Sequence, residues 1–186
     1  MLQRIFDFKT RTIVTISIGA ALYGITGLVG IPFGPNVQIR PSIIVLTIFA
    51  VYFGPLVGFL SGFLGHMLTD MLAGWGIWWN WELSSGIFGL FCGAIYLFGN
   101  FNLRLGLCSK LHTVVLCFLG VIGFLLGYLF SGATDIILMG EPPIKIFYQV
   151  VIIFVTNSIV FLFLAMPVVL SFARANKKKS NLKIEP

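Results

Sequence analysis

Residues 42–72 read SIIVLTIFAVYFGPLVGFLSGFLGHMLTDML, and the fold turns on whether this stretch crosses a membrane once or twice. As one helix it would run about 46 Å at ~1.5 Å per residue, where a bilayer's hydrocarbon core needs about 30 Å. Phe53-Gly54-Pro55 interrupts it. Proline has no N–H to continue a helix and restricts the residue before it, so Gly-Pro marks a turn. Two spans therefore meet at Gly54. Outward from there, the apolar runs 12–31, 42–53, 56–72, 83–98, 113–130 and 146–172 make six spans.

The cationic residues support that count. With six spans and an inside N-terminus, Arg4, Lys9, Arg11, Arg104, Lys110, Arg174, Lys177, Lys178, Lys179 and Lys183 fall inside, and Arg40 and Lys145 outside, a split of ten to two. Five spans would give eight to four. Cytoplasmic segments carry the excess of Lys and Arg, so both ends are expected in the cytoplasm. The basic tail is then a topology signal with an added attraction to anionic lipid, and needs no nucleic acid to explain it. The first apolar run exceeds the ~7–15 residues of a signal-peptide core, so it is read as a retained span.

Composition agrees. The 186 residues are 58% hydrophobic and 10% charged, with mean hydropathy +1.02, too little polar surface for a soluble globule. The expected architecture is an all-α integral membrane protein of the cell membrane. It is a compact bundle of six transmembrane helices forming a single domain over 1–186, with an arm at 1–11, the bundle at 12–172 and a basic tail at 173–186. Cys92, Cys108 and Cys117 match no metal or redox spacing and read as packing residues. No phosphate loop of the form G-x-x-x-x-G-K-[ST] is present, so the chain cannot power transport with ATP itself.

Polar chemistry collects at the outer half. Residues 65–82 hold His66, Asp70 and Glu82 together with Trp75, Trp78, Trp79 and Trp81. Ionisable groups at membrane depth are costly unless they face protein or a cavity, so they nominate a site. His66 and Asp70, four apart on one helix face, are either a buried pair or ligand contacts. Arg40 and Glu82 are either a surface ion pair or ligand contacts. Some tryptophans suit an interfacial belt, yet four so close together exceed a belt's needs, and Trp78, Trp79 or Trp81 is expected to stack on a ligand, with Asn80 beside them. Gln149 and Asn157 share a face of the last span, where an amide serves either helix packing or ligand contact. Tyr128 and Tyr148 are weaker candidates, and Asp135 and Glu141 read as solvated loop residues. The loop 31–41 is a candidate wall or lid. In the first span Ser17/Ala21 and Ala20/Gly24 place small residues four apart, for close helix approach either within the bundle or with a partner.

The runs GAALYG, FGPLVGFLSGFLGHMLTD and GIWWNWELSSGIFGL resemble those of substrate-binding S-components of energy-coupling factor (ECF) transporters, in a branch long left uncharacterised. The resemblance covers residues 12–98 by motif and the remainder by topology. It implies a multi-pass prokaryotic plasma-membrane subunit that binds a vitamin or precursor of the hydroxymethylpyrimidine or pyridoxine type from outside. It further implies as partners a transmembrane coupling protein and two ATPase subunits that use the ATP, with no cofactor on this chain. Ser17, Ala20, Ala21 and Gly24 stand nearest the family's A-x-x-x-A coupling motif. Two other classes stay open: a small intramembrane enzyme with His66 as base and Asp70 as its orienting partner, and a non-transporting assembly protein.

Overall fold

The computed structural model describes residues 9–34 and 37–181, so Arg4 and Lys183 of the charge count lie outside the described residues. Helix α1 (Thr10–Gly27) leads into an antiparallel hairpin of β1 (Ile31–Gly34) and β2 (Val37–Ile39), with Pro32 opposite Gln38. Then follow α2 (Ile43–Phe53), α3 (Pro55–Ala73), α4 (Trp79–Gly93) and α5 (Lys110–Leu138). Helix α6 (Pro143–Val160) passes through a single wide π turn, Phe161–Ala165, into α7 (Met166–Asn181). Pro55–Ala73, Lys110–Leu138 and the continuous Pro143–Lys179 are long and apolar enough to cross a membrane, and α2 is a shorter apolar helix.

The elbow between α2 and α3 forms where glycine permits it. Gly54 has φ +96°, a region that L side chains rarely adopt, and Pro55 opens α3 at a position where its missing N–H costs nothing. Beyond the elbow the two helices run antiparallel: a Cβ at Gly58 would meet the Ala50 methyl, and one at Gly62 would meet Leu46. Helices α1 and α3 run the same way, since Ser61 Oγ donates to the Ile16 carbonyl and Thr69 Oγ1 to that of Gly24. The start of α1 therefore lies at the elbow's end of the bundle.

Glycine also sets how closely the helices approach. Gly58 and Gly89 face each other so tightly that a Cβ on either would collide with the other's carbonyl. Such small-residue contacts substitute for the hydrophobic drive that lipid does not supply. Behind them the core is aromatic. Phe88 and Phe124 stack at 3.9 Å between centroids, and Phe161 meets Phe88 edge-on at 5.4 Å.

Several elements differ from the expected boundaries: α1 ends at Gly27 rather than 31, and α5 runs on to Leu138 rather than stopping at 130. Helix α4 starts at Trp79, four residues before the apolar run, because Glu82 supplies the acceptor for its first turn. The last helix continues to Asn181, so Arg174 to Lys179 are helical, in a stretch free of Gly and Pro and rich in good helix formers. At that end Asn176 Nδ2 donates to Tyr52 Oη at 2.8 Å and to the Leu103 carbonyl at 2.9 Å, tying α7 to the elbow.

Candidate functional site

A cavity of about 530 Å³ opens at the end opposite the elbow, within the ~300–1,000 Å³ range of small-molecule sites. The hairpin contributes Pro32 and Gln38, with Arg40 just beyond it; α3 contributes His66 and Asp70; α4 contributes Trp81, Ser85 and Phe88. Phe124, Tyr128 and Asp135 come from α5, and Gln149, Ile153 and Asn157 from α6. On each long helix these positions recur at steps of three, four or seven residues, so each helix turns one face to the cavity.

Local geometry sets the two walls. Gly74 ends α3 in the left-handed conformation, and the Trp75 N–H returns to the Asp70 carbonyl at 3.0 Å. Trp78 Nε1 then donates to the Trp75 backbone carbonyl at 3.0 Å, which holds the Trp78 ring at the mouth. Trp81 is held from behind by its Nε1–H on Asp135 Oδ2 at 2.8 Å.

At the hairpin pole Arg40 Nη1 lies 2.5 Å from His66 Nε2. A guanidinium only donates, so Nε2 must accept, and the ring proton sits on Nδ1, which donates to Ser85 Oγ at 2.8 Å. Tyr23 Oη donates to the same Ser85 oxygen at 3.3 Å. Both Ser85 lone pairs are then engaged, and its own O–H is left to the cavity. Asp70 Oδ1 stands 3.6 Å from His66 Nε2 and 3.9 Å from Arg40 Nη2, close enough to feel the charge without a hydrogen bond. Arg40 also lies over the Trp75 ring, 5.6 Å from its centroid.

Three cavity residues keep a buried acceptor with no hydrogen-bond partner: Gln38 Oε1, Asp70 Oδ1 and Asn157 Oδ1. Buried acceptors are rarely left unmade, and each such exception asks for an explanation. A ligand carrying N–H or O–H groups would supply one.

The structure thus sorts the expected site residues. Arg40, His66, Asp70, Trp78, Trp81, Gln149 and Asn157 converge on the cavity. Three do not. Trp79 points away and meets Phe130 edge-on at 6.2 Å. Asn80 is buried in a clasp, its Nδ2 donating to the Ser131 carbonyl and to Asp135 Oδ1. Glu82 is fully buried and accepts from the Trp78 N–H at 3.2 Å, capping α4. Asp135, expected to be solvated, is only 4% exposed and anchors both Asn80 and Trp81. In α1 the small residues divide: Ala20 and Gly24 are buried against α3, where a Cβ on Gly24 would meet Leu68 and Gly65, so neither belongs to an outer surface. Ser17 is exposed and Ala21 half-buried. Sequence reasoning passed over Tyr23, Ser85, Phe88 and Phe124, and it counted Trp75 among the tryptophans of the stretch without expecting it at the ligand. Ser85 and Phe88 fall four and seven residues after Trp81, a helical period that would have identified them.

An apolar helical bundle built around a ligand-sized cavity with aromatic walls and unpartnered acceptors defines a membrane binding protein. The family model for the S component of an ECF-type riboflavin transporter matches residues 7–174. A UPF0397 protein of Vibrio atlanticus (strain LGP32) is 40% identical over 178 residues, covering 95% of this chain and 98% of that protein. No solved structure matches the chain. The chain belongs to the family of ECF transporter S components, substrate-binding subunits of importers rather than enzymes. The site agrees with that class, because His66 has its Nε2 lone pair engaged by Arg40 and is not a free base.

Proposed function

We propose that this chain is the membrane-embedded capture subunit of an ECF importer and takes up a small, flat, nitrogen-containing vitamin or precursor. In this reading six helices cross the plasma membrane with both ends in the cytoplasm, and the cavity faces outside. A transmembrane coupling protein and two ATPase subunits supply the energy. The observation that carries the reading is the cavity itself, lined by tryptophan, phenylalanine and tyrosine rings and by Gln38, Asp70 and Asn157, each of which holds an acceptor oxygen without a hydrogen bond. Aromatic walls favour a flat ligand, and orphan acceptors favour one with donors at its edge. Riboflavin, which the description of the matching family model names, and hydroxymethylpyrimidine both meet these terms.

The test is titration of the purified full chain, without ATP, against riboflavin, hydroxymethylpyrimidine and pyridoxine, with tryptophan fluorescence as the signal. Saturable quenching by at least one is expected, and cellular uptake of that compound should cease when the ATPase subunits are inactivated. Absence of quenching by all three, or uptake that survives ATPase loss, would overturn the proposal.

A further inference from the structure

Resting on the reading that the cavity holds a nitrogen heterocycle, we infer that Tyr128 and Asn157 together read one ring edge, on which a hydrogen-bond acceptor stands next to an N–H donor. Lactams, imides and amino-substituted azines carry such an edge. The two residues come from different helices, α5 and α6, and meet with Asn157 Nδ2 2.5 Å from Tyr128 Oη. Both are at least nine-tenths buried and both line the cavity.

The hydrogen-bond inventory of this pair fixes what it offers. With Asn157 donating its amide N–H to the phenol oxygen, the Tyr128 O–H remains as a free donor and Asn157 Oδ1 as a free acceptor, and that oxygen has no partner. Turning the amide over exchanges the parts: Tyr128 then donates to the amide oxygen, the NH₂ becomes the free donor and the phenol oxygen the free acceptor. Either way the pair presents an acceptor beside at least one donor, since the amide's second N–H is spare as well. Its complement is an edge with one acceptor beside one donor. A ring nitrogen flanked only by carbon satisfies half of it and leaves the other half buried and unmade.

The surroundings suit a planar ring at this edge. Tyr128 extends the Phe88–Phe124 stack, its ring 5.5 Å from that of Phe124 and within 8° of parallel. Trp81 lies 6.1 Å from Tyr128 at an angle of 37°, its indole held by Asp135. The aromatic framework therefore fixes the plane in which the Tyr128 hydroxyl points, and the recognition is by edge.

Two probe pairs test this on the full-length chain in detergent: riboflavin against riboflavin methylated at its imide nitrogen, and hydroxymethylpyrimidine against the analogue whose amino group is dimethylated. In each pair methylation removes the N–H. The parent chain should bind the unmethylated member of at least one pair about tenfold or more tightly than its partner, as expected where a site's buried polar group is left unpaired. Tyr128→Phe keeps the ring stack, and Asn157→Leu keeps the branched shape and number of heavy atoms. Each should weaken the unmethylated probe and leave the methylated one nearly unchanged, so that discrimination falls to about twofold. Equal binding within both pairs, or discrimination that persists in both variants as a purely steric effect would, overturns the inference while leaving the capture function intact. If no probe of either pair binds, the inference fails, and the capture function fails with it only when pyridoxine is silent as well.

Discussion

Glu82 and the tryptophans around it show how much a single turn decides. A buried carboxylate in the first turn of α4 accepts from the Trp78 N–H and sits at the positive end of the helix dipole, so its work is to start the helix and aim Trp78 and Trp81. Glu82→Gln retains the accepting oxygen and should leave folding nearly unchanged. Glu82→Leu removes it and should cost about 1–2 kcal/mol, read as a lowered thermal midpoint of the purified chain. The rings separate in the same way. Trp79→Ala should alter probe binding less than about twofold, whereas Trp81→Ala, which removes a wall, should weaken it about tenfold, both measured by titration with riboflavin and hydroxymethylpyrimidine. The presence of a polar and aromatic site could be read in residues 65–82, because charge and tryptophan are rare at membrane depth. Which of Trp78, Trp79, Asn80, Trp81 and Glu82 face it could not. Neighbours on a helix point about 100° apart, and the rotation of α4 is set by a distant contact, Gly89 against Gly58.

Helix α1 poses the same question for a whole element. Its two small-residue pairs have the same spacing, and spacing alone cannot say which face looks inward. The structure turns Ala20 and Gly24 onto α3 and leaves Ser17 and Ala21 on the outer side. Gly24→Leu should therefore disrupt the bundle, seen as loss of a monodisperse species on size exclusion, because the new side chain meets Leu68 and the Gly65 backbone. Ala21→Leu should leave the isolated chain folded and able to bind probe, yet reduce its co-purification with the coupling module if this face is the docking side. A folded Gly24→Leu protein would contradict the packing. Where chemistry is local, sequence suffices: Gly54-Pro55 broke the long apolar run because the elbow needs only those two residues. The hairpin of β1 and β2 was legible only as a wall or lid. Its pairing is brief, and residues 31–34 and 37–39 carry no clear alternation to announce strands.

Across the whole molecule charge and geometry address the same axis. The elbow, residues 103–106 and the start of the tail meet at one end, since Arg104 Nη2 and Tyr96 Oη both donate to the Tyr52 carbonyl and a Cβ on Gly106 would strike the Lys177 backbone. Because α1 runs alongside α3, Lys9 and Arg11 belong to that end too. Arg104, Lys177, Lys178 and Lys179 thus gather at the end opposite the cavity, whereas Arg40 just beyond the hairpin and the Lys145–Glu141 ion pair at 2.7 Å lie at the cavity. An excess of lysine and arginine at one end is the signature of the cytoplasmic side, and it supports the proposal that the cavity faces outward. Reporters fused at Gly54 and after Arg174 should both read cytoplasmic, and one at Gly76 external. Uniform reversal of all three would keep the bundle but place the cavity on the wrong side for capture from outside. Opposite sides for Gly54 and the tail would contradict the shared end that Asn176, Tyr52 and Leu103 build, and with it the arrangement of helices around the cavity.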